Sequence, residues 1–228
     1  MLGTIYWVLL SCAILVNIDT QIGYSVPEPD VTLLGWVEAA CRGDQEAFAE
    51  IVYSFTDAVY NLSYRMLGES GEAEDATQET FLRAYNHLKS YDSQRSFKTW
   101  LLSIASNHCI DRIRKRRMNT ISIDETLPSG SQLEISSDEP LPEEMTLRRE
   151  RSAMIQRMLD ELAPEYRAAV VLRYWYDYSY TDIATALETT ESAIKSRLFR
   201  ARQMLAENYE EQETRLMQRP LNPRLLEG

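Results

Sequence analysis

The sequence predicts an all-α protein of two small helical domains joined by a flexible, acidic linker. Apolar residues recur at steps of three and four through most of residues 33–117 and 151–207, and no stretch of any length alternates as a strand does. Between these blocks, Pro128, Ser129, Gly130, Ser131, Ser136, Ser137, Pro140 and Pro142 interrupt any periodicity. The domain plan is an apolar extension (1–28), a first helical domain (29–117), a linker (118–150), a second helical domain (151–210) and a tail (211–228).

Phe48, Ile51, Val52, Phe55, Val59, Leu62 and Met66 fall on one face of a helix that Asp44 caps and that Gly68 and Gly71 end. The next helix turns Phe81, Ala84, Tyr85 and Leu88 inward and leaves Asp75, Gln78, Glu79 and Arg83 outside. After the polar loop YDSQRS comes a third helix with Phe97, Trp100, Leu101, Ile104 and Ala105 inside, and it runs into the basic stretch CIDRIRKRR. Spacing favours a core role for Trp100 over base stacking, and a local ion pair of Asp111 with Arg114 or Lys115. The linker holds eight acids against two arginines, more than half of the chain's formal net charge of -11. Beyond it, Met154, Ile155, Met158, Leu159 and Leu162 mark a helix stopped by Pro164, and EYRAAVVLRYWY marks an apolar one. Ser179 with Asp182 approximates a capping box, so a further helix begins near Tyr180.

Composition excludes some chemistry. Cys12, Cys41 and Cys109 are too few and too scattered for a disulfide framework or a zinc site, and His87 and His108 are the only histidines. No acid cluster or nucleophile–base pair has a persuasive spacing, so no catalytic residue, metal or cofactor is assigned and the chain is not read as an enzyme. Residues 5–18 are nearly all apolar with no preceding Lys or Arg, unlike a signal peptide, and short for a membrane span. Three readings of this extension stay open: a start codon placed too far upstream, a membrane contact through residues 1–25, or a segment packed on the protein.

The segment SYTDIATALETTESAIKSRLFRARQML carries the strongest functional signal. Ile183, Ala184 and Leu187 supply the inner face of a short helix, and Ile194, Leu198 and Ala201 that of a longer one. Glu188, Thr189 and Thr190 connect them. That is the pattern of a helix-turn-helix, although Glu188 stands where glycine usually provides the left-handed turn. The second helix presents Ser192, Lys195, Ser196, Arg197, Arg200 and Arg202, hydroxyl and cationic groups suited to phosphates and base edges in a major groove.

Four stretches together resemble the extracytoplasmic-function (ECF) group of the sigma-70 family: GDQEAFAEIVYSF, EAEDATQETFLRAYNHLKSYD, SFKTWLLSIASNHCIDRIRKRR and LAPEYRAAVVLRYWYDYSYTDIATALETTESAIKSRLFRARQML. The resemblance implies a promoter-specificity factor for core RNA polymerase, with a region 2-like first domain and a region 4-like second one. It implies a polymerase-docking surface at Asp75, Gln78 and Glu79. It also implies contacts to the minus-10 promoter element by Tyr91, Asp92, Ser93, Gln94, Arg95, Ser96, Asn107, Arg112, Arg114, Lys115, Arg116 and Arg117, and to the minus-35 element by the helix-turn-helix residues named above. Strand opening then comes from preferring unstacked bases over duplex. An inhibitory anti-sigma partner is common in the family, the expected location is cytoplasmic, and the linker acids Asp138, Glu139, Glu143 and Glu144 suit a basic polymerase channel. A stand-alone helix-turn-helix regulator is the rival reading.

Overall fold

A computed structural model describes residues 31–93, 95–122 and 143–217. Among the described residues there are eight α-helices and no strand: α1 (Val31–Cys41), α2 (Gln45–Leu67), α3 (Ser70–His87), α4 (Phe97–Ser122), α5 (Glu143–Asp160), α6 (Pro164–Tyr174), α7 (Tyr180–Ala186) and α8 (Glu191–Met217). A single 3-10 turn, Leu88–Ser90, follows α3. The apolar extension, most of the linker, Gln94 and the end of the tail lie outside the described residues. No described helix is long and apolar enough to cross a membrane.

The first domain is built on α2. Asp44 caps it by accepting from the backbone N–H groups of Glu46 and Ala47 at 3.0 and 3.1 Å, and Gly68 ends it in the left-handed region at φ 82°. Gly71 belongs to the first turn of α3 instead of the end of α2, because Glu69 caps that helix through Gly71 and Glu72. Ile51, Phe55, Val59, Leu62 and Met66 are fully buried against α3 and α4. Tyr85, expected inside, is 42% exposed: its ring meets Phe48 edge-on at 4.9 Å and leaves a face open.

In the second domain α5 ends at Asp160, and Pro164 opens α6 instead of merely stopping α5. Its missing N–H costs nothing in a first turn, where no intrahelical partner exists. Ser179 and Asp182 form the full reciprocal capping box of α7. The two domains are not held apart. Leu159, Leu162 and Val170 of the second belong to the same continuous apolar core as Leu62, Met66 and Leu101 of the first.

Candidate nucleic-acid interface

The helix-turn-helix forms as expected. Ile183, Ile194 and Ala201 are fully buried and Leu198 nearly so, which locks α7 across α8. Glu188 takes the left-handed conformation at φ 49°, so the turn is the usual one despite its non-glycine residue. Thr190 closes the start of α8 by accepting from the Ala193 N–H at 3.2 Å. Ser192, Lys195, Ser196 and Arg200 are exposed on α8, with Arg197 and Arg202 half-buried. Lys195 pairs with Glu191 at 2.6 Å, and its ammonium lies 5.8 Å from the Tyr180 ring centroid. The hydrogen bond and charge of Glu191 hold the Lys195 pKa above its ordinary value. Arg200 donates to the Tyr166 hydroxyl at 3.4 Å.

The basic end of α4 presents a different picture. Lys115 and Arg117 are exposed, but three of the arginines are engaged with acids. Arg112 lies 4.0 Å from Glu72 and 3.7 Å from Asp75, and Arg116 lies 3.3 Å from Glu72. Arg114 reaches Glu165 of α6 at 2.5 Å and Asp111 at 3.9 Å, the latter as expected. Burial works against the Glu165 charge, but backbone hydrogen bonding and the Arg114 guanidinium hold its pKa below the ordinary value. The helix face expected to meet polymerase and the one expected to meet DNA thus share an ion pair, Asp75 with Arg112.

Tyr91, Asp92, Ser93, Arg95 and Ser96 do form a loop between α3 and α4. Tyr91 donates to the Arg95 carbonyl, and Arg95 lies 3.6 Å from Asp92. Trp100 is half-buried in an aromatic cluster with Tyr91 and Phe97, ring centroids 5.2 and 5.4 Å away, and it also lines a cleft of about 630 Å³. It therefore belongs to both the core and the surface. Ser90, Arg95, Ser96 and Asn107 line the same cleft, and Asp182, Thr185, Ala186 and Glu188 of the second domain close it. Asn107 donates to the Ala186 carbonyl at 3.3 Å.

Gln78 is exposed and Glu79 half-exposed on α3, the latter bonded to Arg83 at 2.7 Å. Beside them a groove of about 650 Å³ runs between α2 and α3, lined by Phe48, Val52, Phe81, Leu82 and Tyr85. His108 is buried behind this surface, and Cys109 is fully buried, its thiol pushed up to about 12 by burial. A thiol so protonated is a packing group.

Reading the sequence alone missed Glu72, Glu165 and Arg167. Glu72 sits three residues before Asp75, a helical spacing that could have flagged it. Nothing in the spacing marks the other two: Glu165 meets Arg114 51 residues away, and Arg167 meets the Met66 carbonyl 101 residues away as well as Asp160 seven residues before it.

The comparisons agree with this geometry. Residues 51–118 match the family model for sigma-70 region 2, and residues 152–205 match the one for sigma-70 region 4. The chain is 41% identical over 169 residues to the ECF RNA polymerase sigma factor SigW of Bacillus subtilis, covering 72% of this chain and 89% of that protein. It is 35% identical over 181 residues to the ECF sigma factor SigE of Mycolicibacterium smegmatis, covering 78% and 68%. Two solved structures share the fold: CnrH in complex with the cytosolic domain of CnrY (TM-score 0.58, 22% identity, 80% of this chain and 99% of that one), and the sigma factor RpoE with the anti-sigma factor NepR from Bartonella quintana (TM-score 0.55, 23% identity, 72% and 96%). With both regions in order and a relative matched over nearly its whole length, this chain belongs to the ECF sigma factors of the sigma-70 family.

Proposed function

We propose that this sigma factor brings core RNA polymerase to its promoters by dividing the work among three surfaces. The helix-turn-helix reads the minus-35 element through Ser192, Lys195, Ser196, Arg197, Arg200 and Arg202. The loop Tyr91–Ser96, with Asn107 and the basic end of α4, engages the minus-10 element. Arg112, Arg114, Lys115, Arg116 and Arg117 neutralise phosphates there, and unstacked bases enter the cleft beside Trp100, where ring stacking favours single strands by about 1–3 kcal/mol per base. Asp75, Gln78 and Glu79, with the apolar groove between α2 and α3 alongside, dock the polymerase. A polar rim around an apolar seat is the usual anatomy of such an interface.

The factor works by binding and performs no bond chemistry, in the cytoplasm where polymerase and promoter are. An anti-sigma factor is a further partner, supported by RpoE, whose solved structure contains one.

The observation that carries this reading is the pairing of an exposed cationic recognition helix with a second, separate helix whose first half lines an aromatic cleft and whose far end is basic. A stand-alone regulator has use for the first only. Run-off transcription with purified core polymerase and genomic promoter fragments tests it: specific initiation dependent on the added chain is expected. DNA binding by the chain without any specific initiation favours the regulator.

A further inference from the structure

Resting on the sigma-factor reading of the α3 surface, we propose that the apolar segment 5–18 folds back into the groove between α2 and α3 and occupies, in the free chain, the seat offered to core RNA polymerase. The two then compete for it. Two features of this chain lack a partner and match in kind: a stretch, residues 1–18, without a charged side chain, and a groove that no charged residue lines. Apolar surface on that scale is rarely left to water.

Phe48 and Val52 of α2 and Phe81, Leu82 and Tyr85 of α3 form the walls, with Leu82 61% and Tyr85 42% exposed. The polar side chains among them have little left to offer: Thr56 donates to the Val52 carbonyl and Thr77 to the Ala73 carbonyl, each at 2.7 Å. Both hydroxyl donors are thus spent on their own helices, and the groove suits an uncharged, apolar occupant. Among the described residues no side chain of the second domain lines it. Gln78 lines it and also belongs to the surface proposed for polymerase, so one occupant excludes the other.

The chain enters the fold close by. Residues 19–30 lead into α1 at Val31, and α1 passes by a tight turn into α2, the Asp44 N–H donating to the Ala39 carbonyl at 3.1 Å. The Cys41 thiol donates to the Leu88 carbonyl at 3.6 Å, which holds that corner beside the end of α3. With 11 residues α1 measures about 16 Å, as does the α2 wall of the groove from Gln45 to Thr56. Every part of the groove is therefore within about 40 Å of Val31, a distance that residues 19–30 span when extended at roughly 3.3 Å each. Leu34, in the first turn of α1, is 45% exposed and adds apolar surface near the point of entry. Residues 5–18 are long enough to follow the wall in any regular conformation, since even as an α-helix they would measure about 21 Å.

The test uses the full chain, in which Cys12 already places a thiol in the segment. In a Cys41→Ser background, Leu82→Cys adds a partner in the groove, and Phe199→Cys, as the control, adds one at an exposed position of the second domain; Cys109 is fully buried and stays silent. A short bismaleimide should join Cys12 to the groove thiol within one chain about tenfold faster than to the control thiol, the linked peptides being read by mass spectrometry. Adding core polymerase should suppress the link. Leu10→Asp with Ile14→Asp, which charges the segment, should abolish the preference and tighten polymerase binding about fivefold, by freeing a groove otherwise occupied most of the time. Equal rates at the two positions, links only between two chains, or a charged variant that keeps the preference or leaves the affinity unchanged each overturn the proposal. So does flotation of the full chain on phosphatidylglycerol vesicles with loss of the link, which assigns the segment to a membrane. The link is read without polymerase, so failure of specific initiation overturns the sigma reading alone, whereas initiation without a groove link overturns only the occupant.

Discussion

Arg167 shows how much one side chain can organise. Burial drags its pKa down and Asp160 pushes it back, and the guanidinium keeps its charge by bonding that carboxylate and the Met66 carbonyl. Arg167→Met should keep the packing volume but strand the carbonyl, lowering stability by about 2–3 kcal/mol in urea unfolding; a loss under about 0.5 kcal/mol would mean the bonds are not part of the folded state in solution. Glu188 offers the opposite case. Its φ of 49° is strained for a side chain with a Cβ, so Glu188→Gly should stabilise the helix-turn-helix by about 1 kcal/mol, read as a higher urea midpoint with unchanged slope.

Among the elements, α2 depends most on what meets its end. Gly68 sits at φ 82°, and a Cβ there would come within 3.3 Å of Asp160 and Gln156 of α5. Gly68→Ala should therefore cost about 1–2 kcal/mol from backbone strain, measured by thermal melting, and weaken the seat of the second domain as well. Helix α4 carries a pH-dependent weakness at His108. Burial is the main cause of its lowered pKa; Arg83 of α3 and Arg112 of α4 add to it, and Glu79 of α3 and Asp111 of α4 oppose it. A buried imidazole held neutral contributes stability above its ordinary value of 6.5 and loses it as pH falls through the lower folded value. Native protein should melt progressively earlier as pH falls below 6.5, and His108→Leu should flatten that slope; an equal slope in both would assign the effect elsewhere.

For the whole molecule, net charge is a poor guide to binding. Screening limits electrostatic reach to about 8–10 Å in physiological salt, so a chain of net charge -11 can present local cationic surfaces on α4 and α8. If Lys115 and Arg117 each neutralise a phosphate, replacing both with Ala should reduce the salt slope of promoter binding by polymerase holoenzyme by about two, at roughly 0.9 per phosphate. A slope unchanged by the double substitution would place those charges away from the DNA.

The sequence by itself determined the all-α class, the division into two domains, the cap at Asp44, the capping box at Ser179 and the helix-turn-helix with its cationic face. Each of these is local: apolar periodicity and capping chemistry act over a few residues, so they are written where they operate. Two of the readings that shifted, Gly71 and Pro164, concern helix boundaries, where the same residue can end one element or begin the next. Tertiary structure alone decided that the domains share one core, that Glu165 and Glu72 engage the basic helix, that Tyr85 borders a groove instead of filling the core, and that α7 borders the cleft beside Trp100. Those contacts join residues dozens of positions apart, and no pattern along the chain specifies which distant carbonyl a buried arginine will cap.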